Sequence, residues 1–234
     1  MDYERRDEMI GFYDYTVILT YIGLMSSIFG MTQVIDGRFR TAILCLAISG
    51  LCDMFDGKVA RTKKDRTSDQ KLFGIQIDSL SDVVCFGVFP GMISYVLGVQ
   101  GVLGGIIIAY YCVAAVIRLG FFNVLETNRQ QQEEGANKFY FGLPVTSISI
   151  ILPMVFLLDF LMPQGTIKYV LMVTLCIVGT LFITNFKLKK PTNKQLALMV
   201  IIVACAVINI LLFSEYNIKH RFIKEEPLIE QILK

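Results

Sequence analysis

Across 234 residues, 54% are hydrophobic and 18% charged, and the formal net charge is only +2. That balance, with a mean hydropathy of +0.59, exceeds what an ordinary soluble domain carries and excludes a strongly basic nucleic-acid binder. The single histidine, His220, falls in a polar C-terminal stretch, which leaves histidine-based metal or triad chemistry no foothold.

In chain order, residues 1–14 mix the charges Asp2, Glu4, Arg5, Arg6, Asp7 and Glu8 with Met9, Ile10, Phe12 and Tyr13. This pattern predicts an amphipathic helix lying at a membrane interface, and the leading charges argue against a cleavable signal peptide. Apolar runs then predict membrane spans at 15–35, 39–62, 73–97, 102–125, 143–161, 167–186 and 195–213. Each is close to the 17–25 residues or so that a helix needs to cross about 30 Å of hydrocarbon. A polar loop is expected over 126–142 and a polar tail over 214–234. The predicted fold class is therefore all-α: a polytopic transmembrane helix bundle spanning 15–213, with an interfacial helix before it. Cys45, Cys52, Cys85, Cys112, Cys176 and Cys205 all fall in apolar runs without a C-x-x-C pair, which predicts free thiols.

Loop charge predicts the orientation. Arg5, Arg6, Lys63, Lys64, Arg66, Lys71, Arg129, Lys138, Lys187, Lys189, Lys190 and Lys194 fall on the N-terminal side of a seven-span chain; Arg38, Arg40 and Lys168 fall opposite. The positive-inside rule puts the N-terminal side in the cytoplasm. Against that rule, Lys219, Arg221, Lys224 and Lys234 of the tail fall on the other side.

Carboxylates within membrane spans are costly and mark function by default. Asp53 and Asp56 are spaced i, i+3 at the end of the second span, and Asp78 and Asp82 i, i+4 at the start of the third. Each pair lies on one helix face, and the short loop between the spans makes the helices antiparallel neighbours. Four carboxylates at one depth need cations, and an all-oxygen set suits Mg²⁺, Mn²⁺ or Ca²⁺ rather than zinc. The plain structural reading pairs them with Lys58, Arg61 and Arg118. Arg118, inside the fourth span between Ile117 and Leu119, needs a polar cavity to be tolerated.

Asp53-x-x-Asp56-Gly57-x-x-Ala60-Arg61 followed by Gly74-x-x-x-Asp78-x-x-x-Asp82 resembles the signature of the CDP-alcohol phosphotransferases. Phe86-Gly87-x-x-Pro90, Ile117-Arg118-Leu119, Phe122-Asn123-Val124 and Phe141-Gly142-Leu143-Pro144 look like the phosphatidylserine synthase branch. One departure stands out: twelve residues separate Arg61 from Gly74, more than the family pattern has, with the excess in the polar loop 63–70.

The resemblance implies a six-helix core, to which this chain adds about one span, and a homodimer. It implies CDP-diacylglycerol or CDP-archaeol and L-serine as substrates, with CMP as leaving group and one or two Mg²⁺ or Mn²⁺ ions as cofactor. It further implies Asp53, Asp56, Asp78 and Asp82 as metal ligands and Asp82 also as the base for the serine hydroxyl. Gly57, Ala60 and Gly74 would form the nucleotide-contacting face, with Arg61 on phosphate. Arg118 is a candidate clamp on the serine carboxylate or a phosphate oxygen, and Asn123 a candidate substrate contact. Two other readings compete. One keeps the chemistry with inositol phosphate or glycerol phosphate as acceptor; the other is a cation transporter, which would spread its carboxylates through the membrane's depth.

Overall fold

The computed structural model describes residues 11–131, 139–159, 162–163, 165–189 and 193–213. The tail 214–234 and most of the predicted interfacial helix lie outside the described residues. Residues 11–14 of that predicted helix are irregular rather than helical. Asp14 accounts for the helix start that follows. Its carboxylate accepts from the Thr16 amide at 2.7 Å and caps a 3₁₀ turn, Tyr15–Val17. That turn leads into α1, Ile18–Ile35. Gly37, at φ 72°, ends α1; its amide reaches the Val34 carbonyl and that of Arg38 reaches Gln33. A left-handed residue at this place satisfies the last helix carbonyls, and glycine adopts it without strain.

The chain returns as α2, Phe39–Ala60, packed along α1 by a seam of small residues. Ser49 Oγ lies 2.7 Å from Ser27 Oγ and donates to the Gly23 carbonyl at 2.7 Å. A Cβ on Gly30 would stand 2.8 Å from that of Cys45 and 2.3 Å from Phe89. Small residues spaced in this way let backbones approach where water supplies no driving force.

Helix α3, Ser68–Asp82, starts at a capping box between Thr67 and Gln70, five residues earlier than the predicted third span. It continues through a π-helical stretch, Val83–Val88, into α4, Phe89–Val96. Pro90 lacks an amide and cannot donate to the ladder. The Phe86 carbonyl instead accepts from the Tyr111 hydroxyl at 2.5 Å. Tyr111 belongs to α5, Gly101–Gln131, which runs well into the predicted polar loop 126–142. That loop also holds β1, Phe139–Phe141, paired antiparallel with β2, Lys187–Lys189. The ribbon was not expected from the sequence. Gly142 follows it at φ 72°, where an added Cβ would meet the Phe182 carbonyl at 3.0 Å.

Helices α6, Ile148–Leu158, α7, Ile167–Ile183, and α8, Asn193–Phe213, complete the bundle. Gly50 admits Ser149 of α6, whose Oγ would lie 2.2 Å from a Cβ there. The fifth predicted span shrinks, with Pro153 inside its helix. The sixth ends at Ile183, because Thr184 turns extended towards β2. Among the described residues, three helices are long and apolar enough to cross a bilayer: Tyr15–Ile35, Ser68–Val96 and Gly101–Asn128. Val145–Leu158, Ile167–Ile183 and Val200–Ile210 are apolar but shorter. Helix α2 has the length at 22 residues but carries Arg40, Asp53, Asp56 and Lys58. The chain is an all-α integral membrane protein whose core packs Phe86, Phe89, Ile93, Tyr111 and Phe182.

Candidate active site

The last turns of α2 and the second half of α3 both pack against α1 and turn their carboxylates towards one another. Helix α2 supplies Asp53 and Asp56, and α3 supplies Asp78 and Asp82. The antiparallel course pairs the carboxylates across the two helices, Asp53 with Asp82 and Asp56 with Asp78. One carboxylate oxygen from each of Asp53, Asp78 and Asp82 lies within 4.8 Å of the other two. Asp56, 8% exposed, stands beside this group and accepts from the Thr20 hydroxyl of α1 at 3.2 Å. Ser81 Oγ donates to the Thr20 carbonyl at 3.4 Å. A small cavity opens here, lined by Thr20, Ser49, Cys52, Asp53, Asp56, Ser81 and Asp82 among others.

The donor set fits a hard divalent cation. Its converging groups are carboxylate oxygens, which such ions prefer. Asp78 Oδ1 is buried without a hydrogen-bond partner, a costly state for a carboxylate oxygen unless a cation completes it. The π-helical stretch begins directly after Asp82, and such widened turns recur where a helix presents functional side chains.

Around the carboxylates, the other predicted residues divide. Gly57 faces open space, with only Arg61 Nη1 at 3.7 Å from the position of a Cβ. Ala60 is half-buried and Arg61 exposed, and the Arg61 charge acts on Asp56. Gly74 lies under the guanidinium of Arg66, whose Nη2 would be 2.5 Å from a Cβ there. Lys58 points away over the Phe55 ring at 5.2 Å. Arg118, only 6% exposed, donates from Nε to the Leu143 carbonyl at 3.3 Å and lies 5.6 Å from the Phe122 ring centre. Asn123 is tied to the carboxylate helix, its Oδ1 accepting from Ser79 Oγ at 2.6 Å. All six cysteines are free thiols.

Sequence reasoning missed Thr20 and Arg66. Thr20 is one threonine in an apolar run and carries no local signal. Arg66 had a signal in the lengthened polar loop, but its position over Gly74 depends on where α3 begins.

The model of CDP-alcohol phosphatidyltransferases matches residues 15–181. Relatives are similar over most of the chain. A protein of Mycobacterium tuberculosis named CDP-diacylglycerol–serine O-phosphatidyltransferase is 25% identical, covering 82% of this chain and 69% of its own length. One of the same name from Helicobacter pylori is 27% identical, covering 80% and 77%. An archaetidylserine synthase of Methanothermobacter thermautotrophicus is 31% identical over 61% of this chain and 58% of its own. A match over so much of the chain, on a bundle that gathers four aspartates from two helices, establishes that the chain belongs to the CDP-alcohol phosphatidyltransferase family, enzymes that move a phosphatidyl group onto an alcohol.

Proposed function

We propose that this enzyme transfers the phosphatidyl or archaetidyl group of a CDP-lipid to the hydroxyl of L-serine and releases CMP. The observation that carries the reading is the convergence of Asp53, Asp78 and Asp82, with a buried unpaired oxygen on Asp78, in a chain whose relatives are named for serine as acceptor. Asp53, Asp78 and Asp82, with Asp56 beside them, would hold Mg²⁺ or Mn²⁺. Such an ion, when bound, screens the carboxylates from the diphosphate and stabilises charge on the transferring phosphoryl group.

The chain's own groups do the rest. Gly57 leaves side-chain-free surface beside the carboxylates, which lets a nucleotide approach the backbone closely, and Gly74 makes room for the Arg66 guanidinium. The serine oxygen forms a bond to the lipid-bearing phosphorus as the bond from that phosphorus to the CMP oxygen breaks. Asp82 takes the serine hydroxyl proton, which positioning at the reacting centre makes effective in an otherwise weak base. Arg118 offers a planar fork of donors suited to the serine carboxylate. It is a buried cation of α5, and a small acceptor needs no more. The catalytic domain occupies 15–213. Its carboxylate end faces the cytoplasm, as the loop charges support, and the active form is a homodimer in the cell membrane.

The test is acceptor choice. Purified protein with CDP-diacylglycerol, Mn²⁺ and a panel of alcohols should release CMP with serine and not with inositol phosphate or glycerol phosphate. Turnover with a phosphorylated acceptor alone would overturn the serine assignment. The gathering of the carboxylates in one cluster, rather than along the membrane's depth, supports transfer chemistry over ion transport.

A further inference from the structure

The loop that departs from the family pattern carries an arginine whose position the reaction has not yet used. Gln70, Gly74, Asp78 and Asp82 are spaced by four along α3 and form one ridge of the helix. The Arg66 guanidinium lies on that ridge. Its Nη2 donates to the Gln70 carbonyl at 2.9 Å and fills the space that a side chain on Gly74 would take. Gly74 precedes Asp78 by one helical turn, so the guanidinium stands about 6 Å along the helix from the first carboxylate of α3.

Two features say that this cation lacks its partner. Arg66 Nε is buried and makes no hydrogen bond, although a buried donor is normally paired. Arg66 also sits immediately before the Thr67 N-cap, the end of a helix where the dipole disfavours a positive charge and favours an anion. An anionic oxygen meeting the Arg66 guanidinium over Gly74 would answer the helix dipole and give the cation a partner.

We infer that Arg66 is a further substrate-binding residue, its guanidinium donating to an oxygen of the CDP group as that group lies along the Gln70–Gly74–Asp78 ridge. The extra loop residues have a purpose in this arrangement. They let α3 begin at Ser68, so that Arg66 can fold back one turn above Gly74. The inference rests on the CDP-lipid reading of the site.

The experiment compares wild type, Arg66→Ala and Arg66→Lys in CMP release from CDP-diacylglycerol and serine. It adds CMP as a competitive inhibitor and follows thermal unfolding in detergent. Loss of a charge-assisted contact should raise KM for CDP-diacylglycerol about tenfold or more in Arg66→Ala. The inhibition constant of CMP should rise by a similar factor, while kcat, the serine KM and the unfolding midpoint stay put. Arg66→Lys should fall between the two and also decides the matter if Arg66→Ala does not fold. Unchanged KM and CMP inhibition in the variant that folds would overturn the inference. So would a fall in KM, which would mark the guanidinium as an obstacle on the face. If wild type itself releases no CMP from CDP-diacylglycerol, the CDP-lipid reading fails and the inference with it. If wild type does so and the variants match it, the inference alone fails.

Discussion

At the scale of single residues, the orphaned Asp78 oxygen and the three-way approach of Asp53, Asp78 and Asp82 are what the proposed chemistry stands on. Asp82 is 8% exposed and directly precedes the π-helical stretch. Asp82→Asn keeps the shape and removes the proposed proton acceptor. CMP release should drop by about two orders of magnitude or more, while CDP-lipid binding, read by equilibrium binding, remains. Retained turnover would remove Asp82 as base. Arg118→Lys keeps the charge and loses the fork, so the serine KM should rise with kcat little altered. An unchanged KM would return Arg118 to a structural role built on Leu143 and Phe122. The aspartates were legible in the sequence because carboxylates in apolar spans are too costly to be incidental. Thr20 was not, because its bond to Asp56 joins residues 36 positions apart.

At the scale of elements, the break at Pro90 shows how a helix defect is repaired from outside. The Phe86 carbonyl that Pro90 leaves free is taken by Tyr111 of α5. Tyr111→Phe should leave that carbonyl buried and unpaired, at a cost of about 1–3 kcal/mol. A lower unfolding midpoint in detergent, with a near-normal serine KM, is the expected result. The start of the bundle is held differently. Asp14 accepts from Thr16 and from Lys63 of the α2–α3 loop, the latter at 3.1 Å. Burial pushes the Asp14 carboxyl up, but the Thr16 and Lys63 contacts outweigh it and hold it below the usual value. A depressed carboxyl stabilises the fold above its unfolded value of about 3.9 and loses that contribution as pH falls through the folded value. Asp14→Asn should therefore lower the unfolding midpoint at pH 7, and the difference from wild type should vanish as the pH drops below about 4. A difference that persists in acid would mean that the carboxylate charge is not what holds this corner.

At the scale of the whole molecule, the carboxylates join α2 to α3, and under the proposed function a bound cation would clip these two helices together. Chelation with EDTA should abolish turnover, and Mn²⁺ or Mg²⁺ should restore it. Metal at about a hundredfold excess over its dissociation constant should stabilise the fold by about 2.7 kcal/mol. An unfolding midpoint insensitive to metal would argue against the clip. By itself the sequence determined the membrane class, the all-α architecture, the four aspartates and their pairing on helix faces, since apolar run length and i, i+3 or i, i+4 spacing are local properties of the chain. It misjudged the start of α3, the length of α5 and the ribbon between Phe139–Phe141 and Lys187–Lys189. Only the tertiary structure decided which oxygen is left unpaired, that Thr20 meets Asp56 and that Arg66 covers Gly74. Those facts depend on groups far apart in sequence meeting at one depth, and the energy of such meetings is written in no single segment.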